Sequence, residues 1–163
     1  MKPLSYILLG IALGFFQGAI EVAWSIGGPA PDILLLYVLF LGMKRQTNCA
    51  LVCAFLGGLV QGGIDHVQPL GVESLCKLVV AYLPEWSHYV LISESRATGL
   101  ILVVAGTLFQ QLILYSVVQT FEPGGIWGKT AIMETLGLIL WNMALWLLVF
   151  ERFMPIPEKE ITA

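Results

Sequence analysis

The sequence is poor in charge. Lys, Arg, Asp and Glu together make up 12% of its 163 residues, about half the share usual in soluble domains. A soluble chain of this length would carry far more polar surface. The eight basic residues are scattered and the net charge is −3, so a phosphate-tracking surface is missing and nucleic-acid binding is excluded. Histidine occurs twice and cysteine three times. Cys49, Cys53 and Cys76 are too few and too oddly spaced for a disulfide framework. Cys49 and Cys53 stand one helical turn apart with no further Cys or His close by in sequence, so they read as small apolar packing residues, with a metal site as the alternative.

Catalytic signatures are missing as well. There is no Gly-x-Ser-x-Gly, no His-Glu-x-x-His and no Walker-type loop. Asp65 and His66 are adjacent, and adjacent side chains on a helix point apart, which suits neither a triad nor a metal site. No enzymatic activity and no cofactor is expected.

What the chain has is apolar residues, 58% of the total, spread along its whole length. The first apolar segment runs from Leu4 to about Ile26. It resembles a signal peptide only superficially: it is too long, holds Glu21 and lacks a small-x-small cleavage site, so it is read as a retained span. At ~1.5 Å per residue it crosses the ~30 Å hydrocarbon core. Gly27-Gly28-Pro29-Ala30-Pro31 ends it. Further segments run over Ile33–Met43, Cys49–Ile64, Leu70–Leu83, Ala97–Val118 and about Thr130 to Phe150. The lengths are therefore long, short, short, short, long, long. A short helix whose ends are open to lipid would leave backbone groups unpaired at several kcal/mol each. The short segments must be shielded by the long ones or extend through their polar flanks, including Pro84 to Arg96. The expected fold is all-α: a compact polytopic membrane bundle of six helices over residues 1–152, with a short cytoplasmic tail at 153–163.

Basic residues orient the bundle. With both termini cytoplasmic, Lys2, Lys44, Arg45, Arg96, Arg152 and Lys159 lie inside and Lys129 alone lies outside, with Lys77 within a segment. That is a strong positive-inside bias. Trp24, Trp127 and Trp146 fall near segment ends or in the outer half, where some should anchor the interface.

Two stripes of small residues stand out. Gly10, Gly14 and Gly18 recur every fourth residue in the first segment, and Ala50, Ala54, Gly58 and Gly62 do so in the third. Such faces let another helix backbone approach closely. They serve packing inside the bundle or docking of a partner helix; Gly10, Gly14, Gly18, Ala54, Gly58 and Gly62 are the candidate partner interface.

Polar residues inside apolar segments are the candidate pocket. Gln17 and Glu21 are one turn apart, and a carboxylate near membrane depth usually faces a cavity or a partner; a solvated helix-end carboxylate is the blander reading. Glu73 and Lys77 are i,i+4 in the favourable order, either a mutually neutralising pair or a ligand or subunit contact. Asp65 completes this set.

From Pro31 to Leu83 the sequence resembles MreD, a bacterial rod-shape family. The resemblance rests on Pro31-Asp32-Ile33-Leu34-Leu35-Leu36, the basic turn Lys44-Arg45, the run Phe55-Leu56-Gly57-Gly58-Leu59-Val60-Gln61, and Pro69-Leu70-Gly71. Where the family places an Asp after its Gly-Leu-x-x run, this chain has Gly62, and Asp65 follows three residues later. Pro69 suits a helix start, since proline presets φ, and Gly71 permits close approach. The resemblance implies a bacterial inner-membrane subunit of the elongation machinery. Such a subunit binds MreC, acts through it with MreB, RodA and a class B penicillin-binding protein, and supports lateral peptidoglycan synthesis and rod cell shape. It also implies a fold similar to the substrate-binding subunits of energy-coupling-factor transporters. The second reading, of a different class, is a small-molecule subunit that captures a vitamin for a transporter.

Overall fold

The computed structural model describes residues 3–24, 29–65, 69–90, 96–121, 129–150 and 152. The expected tail at 153–163, with Lys2, His66, Trp127 and Lys159, lies outside them. Six α-helices follow in order: α1 (Pro3–Trp24), α2 (Ile33–Met43), α3 (Thr47–Asp65), α4 (Val72–Val90), α5 (Arg96–Phe121) and α6 (Lys129–Leu145). A π-helical turn over Trp146–Phe150 continues α6. Four of these helices, α1, α3, α5 and α6 with its π turn, are long and apolar enough to cross a membrane. The protein is an all-helical membrane bundle.

The expected run of three short segments contracts to one. α3 has 19 residues, because it starts two residues earlier than its apolar run and ends one later. α4 also has 19, because it continues through Pro84 into the stretch expected to be a polar connection. Pro84 deprives the helix of one N–H, but its ring packs against Gly42 of α2, and Ser87 Oγ donates to the Pro84 carbonyl at 2.7 Å. α4 is amphipathic in the sense opposite to a soluble helix. Leu75, Val79, Tyr82 and Trp86 are exposed on one face, while Glu73, Ser74, Lys77 and Ser87 are buried on the other. This is the pattern lipid demands, with apolar side chains outward and polar ones satisfied within the protein.

Only α2 is short, and it sits at the centre. Its 11 residues make ~16 Å of helix, about half the hydrocarbon core. Leu34, Leu35, Leu36, Val38, Leu39 and Leu41 are all fully buried, as expected of a helix that is hydrophobic all round. α1, α3, α4 and α5 surround it. Its C-terminal end closes on a Schellman arrangement: Arg45 N–H donates to the Gly42 carbonyl (2.9 Å) and Gln46 N–H to that of Leu41 (3.0 Å). Arg45 itself takes the left-handed conformation, φ 57°, where glycine is usual.

α1 and α3 run parallel. Gly10 faces Cys53, Gly14 faces Gly57, and Gly18 faces Gln61 and Ile64, so the register advances together along both helices. Their C-terminal ends therefore meet at the same end of the bundle. That end also holds the start of α2 and the start of α4, where Gly71 turns the chain at φ +95°.

Candidate functional site

A helix that begins inside a membrane must find partners for its first N–H groups within the protein. α2 begins at Asp32, and its needs organise the site. Asp32 is the N-cap: its Oδ1 accepts the Leu35 N–H at 2.8 Å. The Asp32 N–H donates to Asn142 Oδ1 of α6 at 2.9 Å. The Ile33 N–H donates to Gln17 Oε1 of α1 at 2.9 Å. The Leu36 N–H completes the first turn on the Asp32 carbonyl at 3.2 Å. Side chains from α1 and α6 thus cap a helix that neither belongs to.

Charge gathers on the same aspartate. Lys77 of α4, fully buried, reaches Asp32 Oδ2 at 3.0 Å and Glu73 Oε2 at 2.7 Å. Gln110 Nε2 of α5 donates to Asp32 Oδ2 at 2.7 Å. Asn142 Nδ2 donates to Thr107 Oγ1 at 3.0 Å, and Thr107 Oγ1 to the Val103 carbonyl at 2.8 Å. On the α1 side, Gln17 Nε2 donates to Glu21 Oε1 (3.0 Å) and to the Pro31 carbonyl (2.9 Å). Gln61 Nε2 of α3 donates to the same Glu21 oxygen at 2.8 Å. Asp32, Glu73 and Lys77 lie within electrostatic reach of Glu21. Five helices and the α2 cap therefore meet in one buried polar cluster, at the end of the bundle where α1 and α3 finish.

The expected pocket residues Gln17, Glu21, Glu73 and Lys77 are brought together here; the side chain of Asp65 lies outside the described residues. Glu73 and Lys77 are not a self-contained pair, because Lys77 bridges to Asp32. Pro31 and Asp32 form the entry to α2. The other residues shared with the family stand apart: Arg45 at the far end of α2, and Pro69, Leu70 and Gly71 in the turn before α4, with Pro69 and Leu70 exposed. Trp146 is buried against Gly99 rather than lying at an interface. Trp24 is 44% exposed and meets Trp141 edge-on at 6.5 Å.

The small-residue stripes turn inward. Gly10, Gly14 and Gly18 are buried against α3. Gly58 lies against the backbone of Ser74 and Gly62 beside Glu73, both on α4, and Ala54 is fully buried in the core. The docking reading of these faces gives way to packing within the chain, because another helix of the same protein already occupies each close approach.

Gln61, Gln110, Asn142 and Thr107 were not singled out in the sequence. Their signal is simple: each is a polar side chain within a long apolar run, Gln110 with Gln111 beside it, and such residues in a membrane bundle find one another. Among the described residues, no three His, Cys, Asp or Glu side chains are grouped to hold a metal ion. The cluster's chemistry is that of ion pairs and amide hydrogen bonds, which hold helices in place.

Among curated proteins and solved structures none matches significantly. A family model described as rod shape-determining protein MreD matches residues 2–155, nearly the whole chain, and so extends the likeness far beyond the motifs between Pro31 and Leu83. The chain belongs to the MreD family of rod shape-determining membrane proteins.

Proposed function

We propose that this protein is a non-enzymatic scaffold of the bacterial elongation complex. It sits in the cytoplasmic membrane with both termini inside, binds MreC, and supports lateral wall synthesis through MreB, RodA and a class B penicillin-binding protein. Family membership supports the pathway. The observation that carries the scaffold reading is an open groove of about 540 Å³ between α5 and α6. Leu108 and Leu112 of α5 and Ile132, Leu136 and Ile139 of α6 line it, with Glu134 and Thr135 at its polar edge. A partner helix laid there gains dispersion contacts and places a donor against Glu134, the two forces that associate helices in lipid. The vitamin-capture reading draws less support, because Lys77 is engaged by Glu73 and Asp32, and Gln17 by Glu21, the Pro31 carbonyl and the Ile33 N–H.

Filling the groove tests this. Thr135→Trp should reduce co-purification with MreC about tenfold while leaving expression and thermal stability unchanged. Phe16→Trp, at an exposed position of α1 outside the groove, should leave it unaltered. Equal MreC recovery with wild type and Thr135→Trp removes the groove from the interface. Failure of MreC to co-purify with the wild type removes the scaffold reading itself.

A further inference from the structure

The polar cluster is not balanced. Among the described residues it holds three carboxylates, Glu21, Asp32 and Glu73, and one ammonium, Lys77, which is engaged by Asp32 and Glu73. Glu21 receives two amide N–H groups, but among the described residues no ion pair reaches it. An uncompensated carboxylate in a membrane bundle is costly and marks a place where a counter-charge belongs.

Two further features point the same way. Gln61 is fully buried, and its amide nitrogen is committed to Glu21. Among the described residues its Oε1 then has no donor, and the atom is shielded from solvent. Exchanging the amide's nitrogen and oxygen does not help, because the oxygen would then face the carboxylate and the bond to Glu21 would be lost. Gln110, 7% exposed, repeats the arrangement: its nitrogen is on Asp32 and its Oε1 is without a partner among the described residues. A buried acceptor with no donor is destabilising, and both of these oxygens belong to amides anchored on the acidic cluster. The last feature is the helix ends. α1 and α3 are parallel, so their C-terminal dipole ends, each carrying partial negative charge, converge where Glu21 and Gln61 meet. Neither helix has a basic residue in its last turn.

We infer that a small monovalent cation binds at the junction of α1 and α3, held by the Glu21 carboxylate and the free Gln61 amide oxygen. The site offers hard oxygen donors, with one full carboxylate rather than several. That suits an alkali ion or an ammonium group rather than a transition metal, which would need imidazole or thiolate ligands that are not grouped here among the described residues. An anion is disfavoured there by the Glu21 carboxylate and the two helix C-terminal ends. Gly18 contributes by letting the helices close: a Cβ there would stand 3.1 Å from the Gln61 carbonyl oxygen. The cation links α1 to α3 beyond their glycine contacts and stabilises the junction that supports the Gln17 cap on α2.

The full-length protein in zwitterionic lipid nanodiscs, held in N-methylglucamine chloride, provides the test. Sodium, potassium, ammonium or methylammonium chloride is titrated in at constant ionic strength while thermal unfolding is followed. At least one of the four should raise Tm saturably by roughly 3–6 °C. The alkali and ammonium arms distinguish a metal ion from an amine. Glu21→Gln should move the midpoint of that response to at least tenfold higher concentration, and Gln61→Leu should weaken it in the same direction. Should Glu21→Gln fail to fold, the Gln61→Leu titration and equilibrium dialysis of the responding cation against wild type, expected at one per chain, decide the matter. Overturning results are no saturable response to any of the four cations, or a midpoint unchanged by Glu21→Gln or, where that variant does not fold, by Gln61→Leu.

Discussion

Where Gly14 of α1 meets Gly57 of α3 there is no room for a side chain. A Cβ at Gly14 would stand 2.7 Å from the Cα of Gly57, well inside van der Waals contact. Between α5 and α6 the surfaces part to leave a groove of about 540 Å³, and on α6 Ile132, Met133, Leu136, Leu140 and Trp141 all remain exposed. The first region is shaped by backbone approach and the second by what lipid or another helix places against it. In a bilayer, where apolar burial alone gives helices little reason to associate, the difference separates the part that holds the fold from the part free to serve a partner. α1, α3, α4 and α5 wrap the buried α2, while α6 is joined to the rest by Asn142 on Asp32 and Thr107, Trp146 on Gly99, Gly137 on Pro29 and Trp141 on Trp24.

The largest effect should come from closing the tight region with a side chain. Gly14→Leu must push α1 off Gly57, where the obstacle is backbone that cannot swing aside. It should abolish folding, read as loss of the monodisperse species and complete protease sensitivity in membranes. A folded Gly14→Leu protein would mean that α1 and α3 do not meet as described. Removal of the buried cation comes next. Lys77→Met retains the side chain's length but leaves Asp32 and Glu73 facing each other without an ammonium, and breaking a buried pair in this way costs about 3–5 kcal/mol. The double variant Asp32→Asn with Lys77→Met should recover part of that loss, since Asn still caps a helix. Additive destabilisation of the two changes would show that Asp32 and Lys77 are not coupled.

Much of this division was legible in the sequence. Six apolar segments and their order follow from hydropathy, and the all-round apolar character of Ile33–Met43 marks it as the shielded centre. Gln17, Glu21, Glu73 and Lys77 announce themselves as polar groups at membrane depth. Helix ends were less legible, because α4 runs on through Pro84, whose ring finds space only against Gly42 of a distant segment. The direction of the glycine faces was also hidden: a stripe of small residues shows that something approaches closely, but not whether it is the same chain. In the sequence Asp32 stands out only as part of the family-like Pro31-Asp32 stretch. Its place at the hub depends on four helices arriving from elsewhere, and Gln110 and Asn142, 78 and 110 residues away along the chain, carry no local sign of that pairing.

The smallest effect sharpens the boundary between the two regions. Asn142 crosses it: its Oδ1 takes the Asp32 N–H and its Nδ2 reaches Thr107, so one amide joins α6 both to the start of α2 and to α5. Asn142→Leu preserves volume and apolar packing but leaves the buried Asp32 N–H without an acceptor, which costs about 1–3 kcal/mol. Lipid cannot supply that acceptor, and water must enter the bundle to do so. The loss should therefore be local. Backbone amides at the start of α2 and along α6 should exchange faster with solvent deuterium, while those of α1 and α3, closed by Gly14 and Gly57, should keep wild-type protection. Uniformly faster exchange across all helices would mean that α6 is as integral to the fold as α3, and the groove beside it would then be part of the core rather than a surface held ready for a partner.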